Sequence, residues 1–168
     1  IERKQNIKNN KNYFAFSITK VLSGQQEIFL KPGDKIRIYS NKEIDDLLKI
    51  HKLNKNIISP DFTLDKKSNL PASAGSIEEL VRRLIVKVEG EVVTPKSLIL
   101  AGYFNIEEII DISGGLTQMA NKNQIKVVEP QKTETNDIKL IEKELDLEVQ
   151  NKVGIIPGTL IRVSKINS

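Results

Sequence analysis

Cysteine and tryptophan are both absent, and the whole chain holds one histidine and one methionine. Without a thiol there is no disulfide frame, no cysteine nucleophile and no cysteine-held zinc, and an oxidising compartment such as a periplasm is as compatible as any other. The single histidine, His51, has no second imidazole with which to share a metal and no serine or cysteine beside it in sequence. It reads as a structural or surface residue. Aromatics make up only 5% of the residues, so there are few anchors for stacking bases or sugars, and a core must be built from Ile, Leu and Val. That palette suits strands. No apolar stretch approaches the ~18 residues that would span a bilayer, so a signal peptide or membrane segment, if one exists, is expected to lie outside these residues. The phosphate loop, the dinucleotide glycine fingerprint, the HExxH zinc motif, the nucleophile elbow and the calcium-binding loop are missing as well. No catalytic residue, metal or cofactor is expected, and an enzyme is not.

What is present is a chain of 168 residues, long enough for one ordinary domain or one and a half small ones. Its 26 basic and 22 acidic side chains leave a net charge of +4. A balance this mild reads as a solvated surface, with weak attraction to acidic polymers as the sharper alternative. Adjacent acids occur at Asp45-Asp46, Glu78-Glu79 and Glu107-Glu108. Each pair opens a helix, where negative charge offsets the macrodipole, and helical neighbours point about 100° apart and cannot share a proton.

The chain is organised around residues 84–116. Val86, Val88 and Val92, then Leu98 and Leu100, alternate with Lys87, Glu89, Glu91 and Ile99, which predicts a hairpin of two strands with one apolar face. Gly90 inside the first strand marks a bulge or a close backbone approach, and Pro95 forbids a central ladder position before the second. Asn105 with Glu108 forms a capping box, and Ile106, Ile109 and Ile110 form the stripe of a helix of about two turns. Gly114 takes the left-handed conformation that ends it, with Gly115 beyond. Ser76 with Glu79 caps an earlier helix whose stripe is Leu80, Val81 and Leu84. Downstream, residues 125–128 form a short buried strand, residues 129–137 with Pro130 a loop, and Ile138, Leu140, Leu145, Leu147 and Val149 the alternating face of further strands.

The phrase Pro32-Gly33-Asp34, a turn in which proline presets φ, glycine supplies positive φ and aspartate bonds the backbone ahead, returns as Pro157-Gly158-Thr159, 125 residues later. Around the first, residues 13–21 alternate with Phe14, Phe16 and Ile18 on one side, and a strand with Ile36 and Ile38 inward is expected after the turn. This is an internal repeat. Residues 1–40 look like the latter half of a domain whose complete copy is 76–168, its hairpin and glycine-closed helix expected to precede Ile1. The partial copy is expected to be completed by intervening residues or to keep an exposed edge. Between the copies, Ser40 and Glu43 cap a helix reaching about Leu53, and residues 54–75 read as linker, so 41–75 is a helix and linker.

The run Val88-Glu89-Gly90-Glu91-Val92, then Pro95, then Ser113-Gly114-Gly115-Leu116-Thr117 with Ala120, and finally Pro157-Gly158, resembles the soluble-ligand-binding β-grasp (SLBB) domain of bacterial polysaccharide export proteins. The resemblance covers residues 84–164 in order. It implies an α+β fold, a mixed sheet gripping one helix, in one complete copy preceded by a partial one. It also implies a periplasmic module of an outer-membrane export protein, a homo-oligomeric ring or channel for capsular or exopolysaccharide, and an inner-membrane co-polymerase as partner. Lys96, Leu98, Ser113 and Thr159 depart from the pattern, where the family has glycine, tyrosine, alanine and aspartate. The weak candidates for ligand contact are Arg37 and Arg162, which follow the two Pro-Gly turns, and the pair Arg82-Arg83. Each reads first as a solvated side chain, with an anionic polymer or neighbouring subunit as the functional alternative. A basic β-rich module for nucleic acid or a small soluble ligand is the other function class. It lacks the strand-borne aromatics of single-strand binders, so no nucleic acid is expected.

Overall fold

The computed structural model describes residues 1–5, 10–50 and 72–167. Its first part opens with β1 (Glu2–Lys4) and β2 (Lys11–Ala15), an antiparallel hairpin in which Glu2 faces Tyr13. The alternation expected over residues 13–21 stops at Ala15. Ser17 is extended and its hydroxyl accepts the Lys20 N–H at 3.4 Å, so Ile18 heads a short helix, α1 (Ile18–Leu22), in place of continuing the strand. A local cap has overridden the period-two pattern. The turn at Pro32-Gly33 forms, with Gly33 at φ 87° and the Asp34 N–H donating to the Lys31 carbonyl. The strand expected beyond it does not: among the described residues only Lys35 pairs, exchanging both backbone hydrogen bonds with Glu2, and Ile36 and Ile38 are about half exposed. A strand needs partners on its ladder, and here it has one residue of them. The Ser40–Glu43 capping box opens α2 (Asn41–Ile50). His51 and most of the expected linker lie outside the described residues. The last linker residues form a strand, β3 (Ala72–Ala74), because β2 offers an open edge: Tyr13 pairs with Ala74 and Ala15 with Ala72.

The second part follows the reading more closely. The Ser76 hydroxyl accepts the Glu79 N–H at 3.1 Å and opens α3 (Ile77–Leu84), which buries Leu80, Val81 and Leu84. Its last residue runs directly into β4 (Ile85–Gly90), which pairs antiparallel with β5 (Lys96–Ile99). The short β6 (Phe104–Asn105) leads into α4 (Ile106–Ile112), whose capping box is complete: Asn105 Oδ1 accepts the Glu108 N–H and Glu108 Oε2 accepts the Asn105 N–H, each at 2.9 Å. At its other end the Gly115 N–H reaches the Ile110 carbonyl and the Gly114 N–H that of Asp111, the paired bonds of a Schellman motif, with both glycines at positive φ. Beyond lies β7 (Ala120–Lys132), then β8 (Ile138–Leu145), α5 (Leu147–Gln150), β9 (Gly154–Ile155) and β10 (Leu160–Lys165).

Two expectations fail here. Residues 129–132 are not loop but the end of β7, paired with β8 through Lys132↔Ile138. Pro130 is tolerated because the pairing with β10 ends at Val128, and its ring lies against Gly158, on the side where no ladder bond is required. Leu147 and Val149 belong to a one-turn helix whose N-cap, Asp146, accepts the Glu148 N–H, and Val149 is exposed.

The sheet order is β5-β4-β10-β7-β8, with β10 parallel to β4 and every other pair antiparallel. The chain is therefore α+β with a mixed sheet. One core joins the inner sheet face, including Val86, Val88, Ile125, Val127, Ile161 and Val163, to Ile106, Ile109 and Ile110 of α4. β4 and β10 approach so closely that a Cβ on Gly90 would stand 2.1 Å from the Val163 carbonyl oxygen. The sequence reading of Gly90 as a close approach holds.

The repeat extends into three dimensions. In both copies a hairpin is followed by a side-chain-capped short helix and a Pro-Gly turn with its glycine at positive φ, 87° at Gly33 and 84° at Gly158. In both, the second residue after the glycine pairs back on the hairpin's first strand, Lys35 on Glu2 and Leu160 on Val128. Beyond this point the copies differ. Ile161 and Val163 are 0% and 2% exposed, whereas Ile36 and Ile38, 125 positions earlier, are 49% and 55% exposed.

Candidate functional site

Exposed isoleucines after the first Pro-Gly turn are half of a larger feature. They border a groove of about 730 Å³ lined by Phe16 and Ile38 of the first part, Leu47 of α2, and Ile77 and Leu80 of α3. Its volume is that of a ligand-sized pocket, and its lining is mainly apolar. Each wall has a local cause. Phe16 is turned into the groove region by the strand-to-helix switch at Ser17, Leu47 rides the inner face of a helix begun at Ser40, and Ile77 follows the Ser76 cap.

Of the four arginines singled out from sequence, only Arg37 borders this groove. Its guanidinium lies 4.6 Å from the Tyr39 ring centroid and donates to Glu43 Oε1 at 3.2 Å. Glu43 in turn is held below the usual carboxylate range by the Ser40 N–H and hydroxyl and by Arg37. Arg162 projects from the outer sheet face as expected and bonds Glu89 Oε1 at 2.7 Å; the same carboxylate meets Lys87, which with Arg162 lowers its pKa. Arg82 pairs with Glu78 along α3, and Arg83 with Glu79 and the Ser73 carbonyl. Each guanidinium is thus matched by a carboxylate of its own neighbourhood, and the four do not converge.

The structure also uses charges that carried no signal in the sequence. Arg3 grips Asp34 with two parallel bonds, Nε to Oδ1 at 2.8 Å and Nη2 to Oδ2 at 2.7 Å, while stacking 4.8 Å from the Phe14 ring centroid. With the Lys31 N–H this holds the Asp34 carboxyl down to about 2. The aspartate of the first Pro-Gly-Asp is therefore a tie between the turn and β1. Lys20 is buried, its Nζ 2.5 Å from Glu108 Oε1 and 4.6 Å from the Phe104 ring centroid, which fastens α1 to the start of α4. Burial pushes the Glu108 carboxyl up, but the Lys20 ammonium and the Asn105 N–H outweigh it and the net shift is downward. Gln26, also buried, accepts the Ser17 N–H at 2.8 Å and lies against Gly102. A lysine and a glutamine in a polar stretch look like surface until the partner element is known.

Thr159, which follows the second Pro-Gly, is 2% exposed, and Ser113, which precedes the glycine pair, is 0% exposed. Among the described residues neither hydroxyl has a hydrogen-bond partner. Leu98 is a core residue.

Fold and site together define an α+β protein with a mixed five-stranded sheet, a smaller three-stranded sheet packed beside it and an apolar groove between them. In comparison with known proteins, no family model matches the chain and no curated protein matches it.

Proposed function

We propose that this chain is a non-catalytic, periplasmic module of an outer-membrane polysaccharide export protein, residues 76–168 being a complete soluble-ligand-binding β-grasp domain and residues 1–40 the latter part of another. The observation that carries the reading is the sheet order: the first and last strands of the second part run parallel at its centre, flanked by antiparallel hairpin strands, with one helix held on the inner face. Gly90 at the close strand approach, the glycine pair ending α4 and the positive-φ glycine before β10 support it, since each motif glycine sits where its geometry is needed. On this reading the domains of several full-length chains stack into a ring or channel for capsular polysaccharide or exopolysaccharide, facing an inner-membrane co-polymerase, and Arg162 of the outer sheet face lies at a subunit contact.

The test is disruption of the gene in its source organism, followed by staining for surface polysaccharide. Polymer disappears from the surface and accumulates within the envelope if the reading is right; an unchanged surface coat sinks it. Nucleic-acid binding is checked separately by titrating the protein with a generic oligonucleotide at low salt, where affinity would be greatest. No binding is expected, because the strand aromatics are engaged, Tyr13 against the Ala74–Leu80–Leu84 cluster and Phe14 under Arg3, while Tyr39 is covered by Arg37 and Tyr103 precedes β6.

A further inference from the structure

β8 forms one edge of the five-stranded sheet and β5 the other, and the edges differ in length, eight residues against four. Pro130 decides which way the backbone of β8 points. It stands opposite Leu140 and has no N–H, so the ladder bonds between β7 and β8 fall at the residues on either side of that pair. The Thr133 N–H, which donates to the Asp137 carbonyl at 2.8 Å, keeps the same phase at the turn. Lys139, Ile141 and Lys143 therefore bond β7, and the N–H and C=O groups of Ile138, Leu140, Glu142 and Glu144 turn to the outer edge, which has no partner strand among the described residues. Leu145 lies in the core, so by alternation Leu140 is on the opposite face, where it is 55% exposed.

Charged residues on an edge strand ordinarily keep other strands away. Along β8 they leave one way in. A two-fold axis through the sheet lays β8 antiparallel to its own copy, and because outward backbone groups recur at every second residue, the axis must pass at a residue and not between two. With the axis at Lys139 or Lys143, that lysine meets itself; at Ile141, Lys139 meets Lys143; at Glu142 or Glu144, that glutamate meets itself. Like charges directly opposite destabilise a strand pair, and an axis at either end of β8 overlaps only its tip. With the axis at Leu140 no like charges meet: leucine faces leucine, Ile138 faces Glu142, Lys139 faces Ile141 and Asp137 faces Lys143. We propose that β8 is a self-association edge, on which two copies of this chain pair antiparallel about Leu140 and form one continuous sheet. Lys143, which bonds Glu129 within its own chain, then also meets Asp137 of the partner subunit. The inference stands on the register and charges of one strand and does not depend on the export reading.

The experiment follows the wild-type chain by sedimentation equilibrium from micromolar to millimolar concentration, where its apparent mass is expected to rise from 18.9 kDa toward twice that value. Leu140→Lys sets two ammonium groups opposite each other and is expected to hold the chain at the monomer mass with its dilute-solution Tm unchanged, since the side chain is half exposed. Cysteine reads the register independently: the chain has none of its own, so Leu140→Cys and Glu142→Cys each carry a single thiol on the same edge. Under air with a copper catalyst, Leu140→Cys is expected to form a disulfide-linked dimer roughly tenfold faster than Glu142→Cys, because only residue 140 faces its own copy at the ~5.5 Å Cα spacing a disulfide can span. Equal cross-linking of the two variants overturns the proposal. A wild-type mass that stays at 18.9 kDa throughout the range also overturns it, leaving the edge to a different partner, as does growth past the dimer, which a closed two-fold contact does not allow.

Discussion

Two glycines with nearly the same φ, Gly90 at 88° and Gly115 at 87°, do different work. At Gly115 an added Cβ meets open space, so Gly115→Ala carries only the left-handed strain of about 1–2 kcal/mol. At Gly90 the same strain is joined by a clash with the Val163 backbone, which a packed central strand pair cannot relieve. Gly90→Ala is expected to cost at least about 3 kcal/mol, and urea unfolding of the two variants side by side checks the difference. Sequence alone marked both positions, through the strand pattern at one and the helix end at the other. It did not rank them, because the distance to Val163 is a property of two strands far apart in the chain. Ser113 is the converse case. Its buried hydroxyl has no partner, so Ser113→Ala is expected to be neutral or to stabilise by about 1 kcal/mol, read as an unchanged or raised Tm.

Among the elements, α4 is the one whose beginning and end are both written in its own residues, the Asn105–Glu108 box and the Gly114-Gly115 pair. Asn105→Ala removes the acceptor for the Glu108 N–H and is expected to cost about 1–2 kcal/mol, seen as a lower midpoint in urea with an unchanged slope. The strands were less readable where they depended on neighbours. β7 runs on to Lys132 past a proline because β8 supplies one edge and the other edge needs no donor there, whereas residues 36–39 have the alternation of a strand and, among the described residues, no partner strand to make it one. Ser17 and Asp146 each convert the end of an apparent strand into a helical turn, a switch that the side-chain oxygen makes locally and that alternation hides.

At the scale of the whole molecule, the first part is held by charge pairs together with a small apolar cluster of Tyr13, Ala15 and Ala74 on Leu80 and Leu84, and the second by its larger apolar core. Asp34 has its pKa depressed from 3.8 to about 2 by Arg3 and the Lys31 N–H. A depressed carboxyl contributes stability that is fully present above the unfolded value and is lost as pH falls through the folded one. Thermal melts should therefore show wild type losing an increment of stability between pH 3.8 and about 2 that Asp34→Asn lacks at every pH. A wild-type and Asp34→Asn difference that stays constant across that window would contradict the pairing. Lys20→Ala removes both the bond to Glu108 and the cation over Phe104, and is expected to cost on the order of 1–2 kcal/mol, with faster amide exchange in α1 as the local readout. The alternation of Val, Ile and Leu, the caps of α3 and α4 and the repeated Pro-Gly turn were settled by sequence, since each is a matter of side chains within a few residues of one another. The parallel seating of β10 beside β4, the burial of Lys20 and the open groove at Ile36 and Ile38 were decided by tertiary structure. Each depends on which distant segment arrives alongside, and a residue's own neighbours in the chain carry no record of that.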